Sequence, residues 1–102
     1  KYFFRRKMQF DIILLGLGED GHIASIFPDE IDKNNIDVTR SVIRDDFKRI
    51  SLTLKTINNA KKIFLWLPTK KISRIFYDSF NNKKKPVSYI NKRKIFVFSV
   101  LY

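Results

Sequence analysis

The residues able to do chemistry gather in one short stretch, Gly16-Leu17-Gly18-Glu19-Asp20-Gly21-His22, directly after the apolar run Phe10-Asp11-Ile12-Ile13-Leu14-Leu15. His22 is the only histidine of the chain, and it stands two residues from the carboxylate of Asp20. Imidazole is the side chain whose ordinary pKa lies nearest neutrality, so a neutral His22 can take up a proton. A nearby carboxylate can orient the ring and stabilise the charge once it forms. If a helix starts at His22, its positive end favours the neutral imidazole, and its free backbone N–H groups offer places for an oxyanion or a phosphate. The same residues also fit a plainer use, with Asp20 as a helix cap and the glycines as turn residues.

Other chemistries fit less well. Gly16, Gly18 and Gly21 satisfy the dinucleotide spacing G-x-G-x-x-G. Glu19 and Asp20 would then face a pyrophosphate with two negative charges, Pro28 shortens any following helix, and Asp37 lies in a polar loop instead of ending a second strand. A metal site is disfavoured, since one histidine and no cysteine cannot supply the usual nitrogen and sulfur ligands. No serine occupies a nucleophile-elbow context. The expectation is a site without cofactor or metal.

The elements that must position this stretch alternate between strand and helix. Phe10 to Leu15 reads as a central parallel strand buried on both faces, closed by Gly16. His22 to Phe27 fits a short helix stopped by Pro28, and Asp29 to Asp37 a surface loop with a turn at Asn34-Asn35. Strands are expected at Val38 to Ile43, Ile50 to Leu54, Ile63 to Leu67 and Ile95 to Leu101. Thr56 to Lys62 suits a short helix. Thr69 should cap another, whose Ile72, Ile75, Phe76 and Phe80 form an apolar stripe. Such alternation implies an α/β fold with a mostly parallel sheet.

Composition narrows the setting. With 102 residues and no cysteine, the chain suits part or all of one domain in a reducing compartment, and cytoplasm is the expected location. No apolar run reaches the ~18 residues of a membrane span. The chain begins at Lys1 while Met8 lies just ahead of the first strand, so residue 1 need not be a natural start. The net charge of +11 invites a nucleic-acid partner. Lys, Asn, Ile, Phe and Tyr, whose codons are rich in A and T, are abundant throughout, however, and the runs Lys83-Lys84-Lys85 and Lys92-Arg93-Lys94 read as solvated faces. The expectation is no nucleic acid and no membrane. Asp11, Glu19, Asp20, Asp29, Glu30, Asp32 and Asp37 crowd one segment whose only Lys or Arg is Lys33.

The run from Phe10 to Pro28 resembles the signature of 6-phosphogluconolactonases, F-D-L-x-L-L-G-x-G-x-D-G-H-T-A-S-L-F-P. Arg49-Ile50-Ser51-Leu52-Thr53-Leu54 with Ile57-Asn58-Asn59-Ala60 is similar to that family's R-[IV]-T-x-T-L-x-x-[IL]-N-x-A block, and Pro86-Val87-Ser88 to its P-[AV]-S element. The resemblance implies a three-layer α/β/α Rossmann-like sheet, of which residues 1–102 would be the C-terminal part of a single domain. It implies hydrolysis of 6-phosphoglucono-1,5-lactone in the oxidative pentose phosphate pathway, with a phosphorylated sugar lactone as substrate.

Carried over by position, His22 would be the general base that activates water, with Asp20 and Gly21 shaping the loop that presents it and Gly18 and Gly21 binding substrate. Arg49 would be a substrate-facing or structural cation, and Lys71 a neighbouring candidate for binding the substrate phosphate. Lys71 is one residue from the family's phosphate-binding lysine, because the strict alignment places Ile72 there. Two departures bear on function. Ile23 stands where a threonine is usual, and D-G-H-I-A is typical of the related glucosamine-6-phosphate deaminases. The S-G-G-S phosphate loop of the N-terminal half does not occur in these residues, so the implied partner is a missing N-terminal half or a second copy covering exposed apolar faces. The alternatives carried forward are a deaminase-type sugar-phosphate isomerase and a basic nucleic-acid-binding module.

Overall fold

The computed structural model describes residues 9–45 and 47–99. Strands β1 (Ile12–Gly16), β4 (Lys62–Leu67) and β5 (Ile95–Ser99) form a parallel sheet in the order β1-β4-β5. Strands β2 (Thr39–Arg44) and β3 (Phe47–Leu52) form a separate antiparallel hairpin. Among the described residues the helices are α1 (Leu54–Asn59) and α2 (Lys70–Ser79), and Pro86–Tyr89 makes one 3-10 turn. This is a mixed α/β fold with a parallel sheet, part of the Rossmann-like architecture expected.

Local chemistry explains the helix starts. Thr69 accepts a hydrogen bond from the Ile72 N–H at 3.1 Å, and Thr53 accepts one from Thr56 at 3.2 Å, each cap contributing about 1 kcal/mol. Thr53 also donates to the Asp37 carbonyl at 2.6 Å while Thr56 donates to Val38 at 2.7 Å, so α1 is tied to the start of the hairpin. Asn58 continues the stitching by donating to the Tyr89 carbonyl at 2.9 Å and accepting from the Asn91 N–H at 2.7 Å.

One face of the sheet carries the core. Ile13 and Leu15 of β1 and Ile63, Leu65 and Leu67 of β4 pack with Ile23, Ile26, Leu54, Ile57, Phe76 and Val87. The other face stays open: Ile12, Leu14, Trp66, Phe96 and Phe98 are all exposed, Leu14 at 69 %. The expectation that β1 is buried on both faces is thus met on one face only, because among the described residues every helix packs against the same side.

The acidic segment found in the sequence is neutralised within the fold. Arg40 of β2 bonds the Glu30 carbonyl at 2.6 Å and pairs with Asp32 at 3.3 Å, and Arg44 grips both carboxylate oxygens of Asp29 at 2.7 and 3.0 Å. Residues 29–37 are a loop strapped to β2, as their polarity and turn residues suggest.

Candidate active site

The glycine-rich stretch leaves the C-terminal end of β1 as a closed turn. The Gly18 N–H donates to the His22 carbonyl and the Gly21 N–H to the Gly18 carbonyl, both at 2.9 Å. Gly21 takes φ +87°, a conformation that favours glycine, and its missing side chain leaves room for the Lys85 stem, whose carbons lie 3.0–3.4 Å from where a Cβ would be. The Val87 N–H donates to the Gly21 carbonyl at 3.2 Å, seating the Pro86-Val87-Ser88 element against the loop.

No helix follows. Ile23 and Ile26 are joined across a tight turn by an Ile26 N–H to Ile23 carbonyl bond at 2.9 Å, with Ala24 at φ +49°. Both isoleucines are buried, at 0 and 1 % exposure, and the Ser25 N–H is held by the Ser51 hydroxyl at 3.0 Å. Burying two side chains three apart and anchoring the turn to β3 outweighs what a helix of about two turns offers by itself. The helix end expected to favour neutral imidazole and to hold an anion is therefore not formed.

Asp20 replaces it as the organising group. One carboxylate oxygen accepts the His22 backbone N–H at 3.0 Å and lies 2.5 Å from its ring Nδ1. Burial alone would raise the Asp20 pKa, but the hydrogen bonds and charge of His22 outweigh it and hold the carboxyl below its ordinary value. With Nδ1–H directed to Asp20, the tautomer inferred from the network makes Nε2 the acceptor. Gly16, Gly18 and His22, with Leu14, Leu15, Leu17 and Ala24, line an open pocket of about 400 Å³ beside the strand end.

Of the expected site residues, His22, Asp20 and Gly18 come together here, while Gly21 is buried behind the loop. Lys71, in the first turn of α2, reaches the loop as an exposed ion pair with Glu19 at 3.0 Å. The Arg49 guanidinium lies 5.6 Å from the centroid of Phe27, whose ring packs 4.6 Å from the imidazole. Arg44 lies over the same phenyl ring at 4.1 Å and is pushed further into its charged form by its hydrogen bond to Asp29.

Sequence reasoning missed Phe27 and Arg44; nothing in their spacing signals that a hairpin folds back over the loop. It also missed the setting of Lys85. Among the described residues, no group of three or more His, Asp or Glu side chains is placed to hold a metal ion.

These features define an α/β protein with a histidine–carboxylate pair on the loop that leaves a parallel strand, opening into a pocket at the sheet's C-terminal end. The family described as glucosamine-6-phosphate isomerases/6-phosphogluconolactonase matches residues 1–98, and the chain belongs to that family. The 6-phosphogluconolactonase of Treponema pallidum is 49 % identical over 59 residues, covering 55 % of this chain and 24 % of its own length. The GDH/6PGL endoplasmic bifunctional protein of Homo sapiens is 35 % identical over 89 residues, covering 78 % of this chain and 11 % of that protein. Among solved structures, the 6-phosphogluconolactonase of Trypanosoma brucei superposes with a TM-score of 0.66 at 27 % identity, over 87 % of this chain and 38 % of that one. That of Thermotoga maritima shares the fold with a TM-score of 0.73 at 22 % identity, over 87 % and 42 % of the two chains. The chain thus spans less than half the length of these relatives.

Proposed function

We propose that the chain supplies the base-bearing part of a 6-phosphogluconolactonase site, and that its reaction is hydrolysis of 6-phosphoglucono-1,5-lactone. The observation that carries this reading is the His22–Asp20 pair beside the pocket, with Nδ1 engaged by the carboxylate and Nε2 left as the ring's acceptor. The names of the relatives give the substrate.

In the proposed reaction, Nε2 takes a proton from water as the water oxygen bonds to the lactone carbonyl carbon, giving a tetrahedral oxyanion. Asp20 holds the ring in the productive tautomer and stabilises the imidazolium. Collapse of the intermediate breaks the bond from that carbon to the ring oxygen. The departing oxygen receives a proton from the imidazolium, so the product is the open-chain acid and His22 returns neutral. No cofactor or metal enters the balance.

Arg49 is the proposed cation for the substrate phosphate. Among the described residues it has no carboxylate partner, and it lies on the ring that packs against His22. Lys71 assists once it exchanges Glu19 for the substrate. Its exposed pair with Glu19 holds it only weakly, since such pairs contribute about 0–1 kcal/mol. Gly18 and Gly21 shape the loop. A cytoplasmic site of action suits this reading; among the described residues no helix is long and apolar enough to cross a membrane.

Ile23 gives no support to a deaminase reading, because its side chain is wholly within the core and does not face the pocket. The test is lactone hydrolysis above the spontaneous rate, with His22→Ala as control and ammonia release from glucosamine 6-phosphate measured on the same sample. Hydrolysis unchanged in His22→Ala, or ammonia release without hydrolysis, refutes the proposal.

A further inference from the structure

A general base must hold its direction as well as its charge state, and among the described residues His22 is tethered through one ring nitrogen only. Its side chain is 31 % exposed, so burial does not immobilise it. A ring held at Nδ1 alone can still rock about that hydrogen bond. Misplacement by about 1 Å is enough to cost a catalytic group about 100-fold.

Two neighbours limit that motion. The Phe27 ring lies 4.6 Å from the imidazole, centroid to centroid, with the planes 38° apart. Phe27 is itself fixed, 5 % exposed and overlaid by the guanidinium of Arg44 at 4.1 Å. On the Nδ1 and Cε1 side stands Gly18. A Cβ built there would overlap those two ring atoms and crowd Nε2 at 2.9 Å, so the imidazole itself would have to shift. The Gly18 backbone cannot retreat without breaking its own bonds to the His22 carbonyl and the Gly21 N–H.

We infer that Gly18 and Phe27 are positioning residues that form a slot for the His22 imidazole, Phe27 by packing its tilted ring against it and Gly18 by lacking a side chain. Their part in catalysis rests on the lactonase reading; the slot itself does not. It assigns Gly18 a task other than substrate contact, and it gives the Phe-Pro end of the motif a purpose beyond core filling. A purely apolar packing role for Phe27 would be served nearly as well by leucine. A ring-against-ring contact would not.

The test uses the intact chain and its Phe27→Leu, Phe27→Tyr and Gly18→Ala variants, with an amide NMR spectrum checking that each is folded. As the sole histidine, His22 gives ring-proton signals that cannot be confused with another residue's. The expected result is a ring-current displacement of the His22 Cε1–H resonance in the parent and in Phe27→Tyr, lost in Phe27→Leu. For lactone hydrolysis, kcat should fall about tenfold in Phe27→Leu and about 100-fold in Gly18→Ala, with KM nearly constant and Phe27→Tyr close to the parent.

A Phe27→Leu variant with parental kcat, or Phe27→Tyr no better than Phe27→Leu, overturns the positioning role. If the parent fails to hydrolyse lactone, the functional reading falls but the slot is still judged. An imidazole resonance that ignores Phe27→Leu then overturns it, and one that responds as expected sustains it.

Discussion

Replacing Asp20 with asparagine isolates the charge of the His22 partner while keeping its shape. The lost interaction is a hydrogen bond from Nδ1 to an ionised oxygen at 2.5 Å, and bonds to charged groups contribute about 1.5–3 kcal/mol. Both side chains are partly open to solvent, at 31 and 44 %, so the lower end of that range applies. About 1.5 kcal/mol corresponds to roughly a tenfold change in rate. Asparagine adds a second penalty, because its amide can turn an N–H toward Nδ1 and select the tautomer that protonates Nε2. Together these give an expected fall in kcat of about 30- to 100-fold in a lactone hydrolysis assay, with KM little changed. A variant whose kcat stays within about threefold of the parent, or whose loss lies wholly in KM, refutes the reasoning that Asp20 acts through the ring.

The same substitution has a signature in stability. The carboxyl is held below the ordinary aspartate value of 3.8 in the folded chain. A lowered folded pKa means that the contribution is fully present above the unfolded value and disappears as pH falls through the folded one. Urea midpoints of the parent and Asp20→Asn should therefore differ at neutral pH and converge below pH 3.8. Parallel curves across that interval would show that the carboxylate is not titrating against His22.

Thr53→Ala removes a cap that is 1 % exposed and also bonds the Asp37 carbonyl, so urea denaturation should show a loss of about 1–2 kcal/mol. A loss below about 0.5 kcal/mol would mean that Thr56 takes over both bonds. Arg49→Ala should raise KM for the lactone about tenfold while leaving kcat near the parental value, as expected for a cation that binds substrate and transition state alike; a fall in kcat alone contradicts that assignment. Ile12→Lys combined with Phe96→Lys places charge on the open face of the sheet, where the two side chains are 52 and 46 % exposed. The pair should reduce binding of an apolar fluorescent dye and slow self-association without changing the circular dichroism, whereas a lost helical signal would show that the face is part of the core.

How far the fold was legible depends on where the deciding contacts lie. Helix α2 was readable because its cap and its stripe are local: Thr69 starts it, and Ile72, Ile75, Phe76 and Phe80 turn to the core as their spacing requires. Strand β4 was readable for the same reason, its apolar run being bounded by Lys62 and Pro68. The segment from His22 to Phe27 was not, since an Ile23–Ile26 pair three residues apart fits a helical face and a tight turn equally well. The choice was made by Ser51, distant in sequence, which takes the Ser25 N–H. The open face of β1 was likewise hidden, because a run such as Ile12-Ile13-Leu14-Leu15 records that both faces are apolar without recording what covers them.

Loss of the expected helix changes which groups must do the electrostatic work at the site. With a helix end, backbone N–H groups would have held the anion and the ring's charge state would have been biased by a dipole shared over several residues. Without it, the proposed mechanism assigns both tasks to side chains: Asp20, which contacts the ring, and Arg49 and Lys71 as the proposed cations for the substrate. Side chains can be directed only if something stiff lies beneath them. Phe27 supplies that stiffness, because a single buried ring touches the imidazole and carries the guanidinium groups of Arg44 and Arg49. The Phe27-Pro28 end of the motif, which looked in sequence like a helix stop, supplies in the fold the ring against which His22, Arg44 and Arg49 pack.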